Sequence, residues 1–266
     1  MLPTASNNGA VLVTGASSGI GAELAREFVT RGRSVILTAR SADKLADLAS
    51  SLGSGAHVLA ADLSDRADRA ALPQRVADLG MVVDVLVNNA GLSTSGPVAT
   101  SDPDAELNLV EVDVNAVVDL CSRFVPGMVK RGHGAVLNVG SVGAFGPLPG
   151  QAAYGAAKAF VLSYTQALGE ELRGTGVVAA TLCPGPVKTG FGAAAGISDE
   201  DAEASLPKIM WVDADEVARI AVDGLASGKT VIVPGVANRV GAAAYQVLPR
   251  KLLLPILAKS HPALKK

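Results

Sequence analysis

Val11-Leu12-Val13-Thr14-Gly15-Ala16-Ser17-Ser18-Gly19-Ile20-Gly21 passes from a short apolar run into a glycine-rich turn, and Leu24, Ala25, Phe28 and Val29 follow at helical spacing. A strand, a tight turn and a helix in that order form the opening unit of a parallel α/β sheet. Gly15, Gly19 and Gly21 let the backbone bend and come close to a ligand, and Ser17 and Ser18 add hydroxyl donors. The spacing is G-x-x-x-G-x-G rather than the standard G-x-G-x-x-G, but the means of holding a pyrophosphate at a helix N-terminus is the same.

Outward from this unit the alternation continues. Apolar strands are expected at 34–39, 58–61, 83–87, 135–139, 177–182 and 231–233. Helices are expected between them, including 42–52, a long region 104–130 that Pro126 kinks or divides, and 151–173. Continuous apolar strands separated by helices imply a doubly wound, mostly parallel seven-stranded α/β sheet with helices on both faces, of Rossmann type. No linker divides the chain, so residues 1–266 are expected to form a single domain. Gly, Asn, Ser and Asp cluster where the strands end, which is where such sheets bind ligands.

The bulk numbers exclude some classes. A formal charge of −2 over 266 residues gives no electrostatic case for nucleic acid. Cys121 and Cys183 stand far apart and read as buried, reduced thiols. No His/Cys/carboxylate cluster has metal spacing, and His57, His133 and His261 are expected at the surface or in loops. The N-terminus shows no signal-peptide pattern and no apolar run is of spanning length, so a cytoplasmic protein is expected.

Tyr154 and Lys158 are four residues apart, and Ser141 precedes the tyrosine by thirteen. On a helix Tyr154 and Lys158 share a face, one turn apart. A phenol of pKa about 10 transfers protons poorly near neutrality, and the ammonium is expected to pull it toward the working range. Ser141 and Tyr154 then offer two donors to a carbonyl oxygen that gains negative charge as hydride arrives. The second strand ends at Ala39-Arg40 rather than at a carboxylate, which favours a phosphorylated ribose and hence NADP over NAD. The other reading of Arg40 is a solvated helix-start residue.

Residues 14–21, Asn88-Asn89-Ala90-Gly91, Asn115, Ser141, Tyr154-Gly155-Ala156-Ala157-Lys158 and Pro184-Gly185 occur in one order across about residues 10–190. This set resembles the short-chain dehydrogenase/reductase family in its single-domain main branch. The resemblance implies an NADP-dependent oxidoreductase acting on a carbonyl/alcohol pair, as a homodimer or homotetramer. It implies Tyr154 as general acid/base, Ser141 as a donor to the substrate oxygen, Lys158 as the group that tunes the tyrosine and holds the nicotinamide ribose, and Asn115 as organiser of a water relay to Lys158. It also implies that Asp62 and Leu63 contact adenine, that Asn89, Ala90 and Gly91 line the adenosine side, and that Pro184, Gly185, Val187 and Thr189 cover the nicotinamide. A catalytically silent nucleotide-binding regulator or scaffold of the same fold is the alternative.

Residues 188–212 are expected to form a substrate lid, with Val142, Phe145, Leu148, Phe191, Met210 and Trp211 as apolar pocket candidates. The substrate is then expected to be an apolar ketone, aldehyde or secondary alcohol, lipid- or steroid-like. The tail, 237–266, is apolar with interspersed basic residues; core or interface packing is favoured over a place lining the substrate entrance or at a membrane surface.

Overall fold

The computed structural model describes residues 6–194, 206–260 and 264. Among these residues the strands are β1 (Gly9–Thr14), β2 (Ser34–Thr38), β3 (Ala56–Val58), β4 (Val82–Asn88), β5 (Gly134–Val139), β6 (Val177–Leu182) and β7 (Val231–Ile232). They form one seven-stranded sheet in the order β3-β2-β1-β4-β5-β6-β7, with every pair parallel. The chain winds outward from β1 to β3, then returns to the centre and winds the other way from β4. The switch between β1 and β4 opens a crevice at their carboxyl ends.

The alternation of side chains along β1 shows how the sheet is buried on both faces. Val11 and Val13 join one apolar cluster with Leu24, Ala25 and Phe28 of α1 (Gly19–Thr30), Leu45 and Leu48 of α2 (Ala42–Leu52), and Val217, Ala221 and Val222 of a later helix, Ala214–Ala226. Ala10 and Leu12 join the opposite cluster with Leu72 and Val76 of α3 (Arg66–Asp78) and with Leu120, Phe124 and Met128 further on. Each fully buried Val, Leu or Phe contributes roughly 1.5–3 kcal/mol of transfer free energy, so a strand with two apolar faces is held from both sides.

The third strand comes earlier than expected, at Ala56–Val58. The chain still follows β2 beyond it, with Leu59 N–H bonding Leu37 O at 3.0 Å and Ala61 N–H bonding Ala39 O at 3.1 Å. His57, expected at the surface or in a loop, lies on this strand opposite Ile36.

The long helical region is divided, but not at Pro126. α4 (Pro103–Val110) runs into a single π turn, Glu111–Asn115, and α5 (Ala116–Arg131) follows without interruption through Pro126. Pro126 and Ser122, whose carbonyl loses its bond, are both exposed, so solvent can satisfy the freed group. The π turn lies where charged side chains are gripped on both sides: Arg69 pairs with Glu111 at 2.6 Å and Asp119 at 2.9 Å, while Asp113 turns inward.

The remaining helices are α6 (Ala152–Glu171), the short α7 (Phe191–Ala194), α8 (Ala214–Ala226), α9 (Val236–Val247) and α10 (Arg250–Ser260). The middle of the expected lid, 195–205, lies outside the described residues, as does most of 261–266. Among the described residues, no helix is long and apolar enough to cross a membrane.

Candidate active site

A cavity of about 680 Å³ runs along the carboxyl ends of the strands. At one end lies the glycine turn, held by a joint between β1 and β4. Thr14 Oγ1 accepts the N–H groups of Asn89 (3.0 Å) and Ala90 (3.1 Å) and donates to the Val87 carbonyl at 3.2 Å. Asn89 Nδ2 in turn donates to the carbonyls of Thr14 (2.9 Å) and Gly15 (3.3 Å). Gly15 takes a left-handed φ of 64°. Gly21 does not line the cavity; it backs the joint, where a Cβ would come 2.3 Å from Gly15 O and 2.4 Å from Asn89 Nδ2.

Gly15, Ser17, Ser18, Gly19 and Ile20 line the cavity. Ser18 opens α1 without a side-chain cap, and no acid stands in the first turn. This uncapped helix start, with glycines where a Cβ would intrude, is a cradle that fits a phosphate. Ala39 and an exposed Arg40 continue the wall to Asp62 and Leu63. Burial pushes the Asp62 carboxyl up. The Ser64 N–H and hydroxyl, at 2.9 and 2.8 Å, and the charge of Arg40 more than reverse this, leaving it below its ordinary value. Asn89, Ala90 and Gly91 line the middle of the cavity, and Pro184, Gly185, Val187 and Thr189 line its far side.

Ser141, Tyr154 and Lys158 converge on the same cavity. Ser141 caps a short turn after β5, its Oγ accepting the Gly143 N–H at 3.0 Å, and it also bonds the Tyr154 side chain. Lys158 is buried, with Nζ 3.1 Å from Val139 O and 5.7 Å from the centre of the Tyr154 ring. Nζ also lies 2.9 Å from Asp113 Oδ2, and Asp113 Oδ1 accepts the Leu92 N–H at 2.7 Å. Asp113 is 0% exposed. Gly91 makes room for this pair, since a Cβ there would stand 3.1 Å from Nζ and 3.2 Å from Oδ2.

Asn115, expected to serve Lys158, is not brought to the cavity. It sits on the exposed side of the π turn and donates to Glu111 Oε2 at 2.5 Å. Residues four apart share a helical face and residues two apart do not, so Asn115 follows Glu111 outward while Asp113 points in. Asp113 was missed, although a signal existed. Leu109, Val112, Ala116, Val117 and Leu120 form a buried stripe at helical spacing, and Asp113 is the charged residue within it.

The electrostatics also differ from expectation. Burial drives the Tyr154 phenol above its ordinary value, and the charge of Lys158 and the bond from Ser141 do not offset this; Asp113 and Cys183 push the same way. Burial works against the Lys158 ammonium, but Asp113 and Tyr154 raise it above the usual lysine range. Burial holds the Asp113 carboxyl above the usual carboxylate range against the pull of Lys158.

The substrate end is apolar. Val142, Leu148, Phe191, Met210 and Trp211 line it, joined by Leu206, Tyr245 and Leu257. Phe145 turns away instead, packing against Ala144, Leu162 and Cys183. Phe191 tilts against the Tyr154 ring with centroids 5.9 Å apart. A buried Asn238 lies under Gly185 and donates to the carbonyls of Met210 (2.9 Å) and Pro234 (3.0 Å); no feature of the sequence had singled it out. Among the described lining residues the cations are Arg40 and Lys158. Among the described residues, no cluster of ligating side chains is suited to a metal.

Comparison with known proteins agrees with this fold. The family model described as short chain dehydrogenase matches residues 9–199. A short chain dehydrogenase of Pseudocercospora fijiensis is 38% identical over 188 residues, which cover 68% of this chain and 60% of the relative. The NADP-dependent 3-hydroxy acid dehydrogenase of Escherichia coli is 34% identical over 181 residues, covering 66% of this chain and 72% of the relative. The structure of a short-chain dehydrogenase from Sphingobium yanoikuyae in complex with NADPH superposes with a TM-score of 0.79 at 34% identity, covering 92% of this chain and 94% of the other.

Proposed function

Because the chain belongs to the short-chain dehydrogenase family, we propose that it transfers hydride between NADP(H) and a neutral, apolar ketone, aldehyde or secondary alcohol, with Tyr154 moving the proton. The observation that carries this reading is the meeting of Ser141, Tyr154 and Lys158 in the cavity that also holds the glycine turn. The nicotinamide cofactor, when bound, supplies or accepts the hydride. The turn at 15–20 would hold its pyrophosphate and Arg40 its ribose phosphate, a choice supported by the NADPH and NADP named for two relatives. Ser141 and Tyr154 donate to the substrate oxygen as it gains charge, and Tyr154 gives up its proton. Lys158, charged and fixed by Val139 O and Asp113, orients this end of the site.

Neutral substrates are favoured by charge. A substrate carboxylate is held most strongly by a free cation; Arg40 stands at the opposite end beside Asp62, and Lys158 is paired. The sequence places no Lys or Arg between Lys188 and Lys208, and Lys188 rests 5.9 Å over the Trp211 ring. Assembly as a homodimer or homotetramer belongs to the same proposal. Exposed Val236, Val240, Val247, Leu252 and Ile256 on α9 and α10 supply apolar surface for it, and sedimentation tests it.

The main test is a panel of apolar and carboxylated carbonyls and alcohols with NADP(H), run on the wild type and on Tyr154→Phe. Turnover should concentrate on the apolar members. The variant should lose on the order of 10²–10⁴ in rate while NADPH affinity holds. No turnover by cofactor-loaded wild type, or a fully active Tyr154→Phe, would refute the reading.

A further inference from the structure

The carboxylate facing the catalytic lysine is unexplained by the roles given above, and it changes the charge available to the tyrosine. We propose that Asp113 is a positioning residue that pairs with Lys158 in a buried ion pair and so keeps the Tyr154 hydroxyl loaded with the proton that carbonyl reduction consumes across the neutral range. This rests on the redox reading of the same site. The geometry supports it at three points. Lys158 Nζ is 2.9 Å from Oδ2, Oδ1 is fixed by the Leu92 N–H at 2.7 Å, and Gly91 leaves the space the pair occupies. An amide at this position would leave the ammonium's charge to act on the phenol. An ionised carboxylate offsets part of it at the tyrosine.

The titratable groups acting on the Tyr154 hydroxyl are Lys158 from its own helix, Asp113 from the π turn and the Cys183 thiol after β6. Burial is the largest influence and favours the neutral phenol; Asp113 and Cys183 favour it too, and only Lys158 and the Ser141 bond oppose. The sign follows. Reduction consumes the phenolic proton, so its rate holds as pH rises until the hydroxyl ionises. Oxidation needs the phenolate, so its rate falls about tenfold for each unit below that point.

The test compares pH profiles of kcat/KM in both directions for wild type and Asp113→Asn, using the alcohol/ketone pair that wild type turns over best. Replacing the carboxylate by the isosteric amide should move the oxidation limb toward neutrality by about one pH unit. Oxidation at neutral pH should then gain about tenfold relative to its own plateau. A limb that stays in place, or moves upward, in a variant that still binds NADPH overturns the proposal. A second measurement covers the case in which Asp113→Asn does not fold. The ultraviolet phenolate absorbance of the full chain, minus that of Tyr154→Phe, titrates Tyr154 directly. Ionisation at alkaline pH in wild type with a lower midpoint in Asp113→Ser supports the proposal, and phenolate at neutral pH in wild type or an unmoved midpoint in Asp113→Ser overturns it. This titration requires no turnover, so it stands apart from any failure of the redox assignment.

Discussion

Alanine at position 21 probes whether the glycine turn is built as a rigid joint. Gly21 is the third residue of α1, and in an ordinary helix interior Gly→Ala would gain about 1 kcal/mol. Here the added Cβ would meet Gly15 O at 2.3 Å and Asn89 Nδ2 at 2.4 Å. Neither neighbour yields easily: one is backbone, and the other donates to the carbonyls of Thr14 and Gly15. Overpacking of this kind costs about 1–3 kcal/mol, and a displaced amide bond adds about 1 kcal/mol. The overlap therefore outweighs the propensity gain, leaving a net loss of about 2 kcal/mol, or roughly 4–8 °C in Tm for a domain of this size. Because the displaced atoms carry the phosphate cradle, the NADPH Kd should rise by at least about tenfold, the equivalent of one charge-assisted hydrogen bond. Calorimetry and fluorescence titration read the two quantities. Gly127→Ala is the control: it also lies in a helix, but its Cβ would meet only the far end of Arg131 at 3.3 Å, so it should be neutral or slightly stabilising. If Gly21→Ala melts and binds like wild type, the reasoning about the joint fails.

Arg40→Ala should weaken NADP(H) far more than NAD(H), by about 10–100-fold in relative kcat/KM, as expected for one charged contact to a phosphate; an unchanged ratio would return Arg40 to the solvent. Asn115→Ala should leave turnover within about twofold of wild type, because its exposed side chain bonds Glu111 and not the cavity groups; a loss comparable with that of Tyr154→Phe would place Asn115 back in the relay. Burial pushes the Cys121 thiol up to about 11 and the Cys183 thiol up to about 12, so neither should react with a disulfide reagent at neutral pH until the protein unfolds. Counting titratable thiols in native and denatured protein checks this.

The fold was legible because its signals are local and repeated. Each buried strand is an apolar run, and each glycine turn or Asn-Asn-Ala-Gly segment marks a strand end. Ser141, Tyr154 and Lys158 were legible through spacing on and before one helix. What failed depended on rotation about a helix axis. Asn115 and Asp113 are two positions apart in one π turn, so spacing from the tyrosine helix does not state which one faces Lys158, and only the apolar stripe around Asp113 does. The direction of the tyrosine shift was misjudged for a related reason. Only Lys158 was visible as a neighbour, whereas burial and a carboxylate 21 residues beyond Leu92 come from the tertiary structure. Phe145 was misassigned because sequence adjacency to Ser141 says nothing about which way a short turn directs its side chains.

Asn238 has a bearing on how such a cleft could diversify. Its one amide ties the carbonyls of residues 210 and 234, which lie in separate stretches of chain, and it leaves no room for a side chain at 185. Grafting a foreign lid onto 206–212 would thus keep the bond from α9 only where the new backbone sets a carbonyl at the place of Met210 O. New substrate preferences should be reached only when both stretches change together, or when changes are confined to side chains that leave this clasp intact.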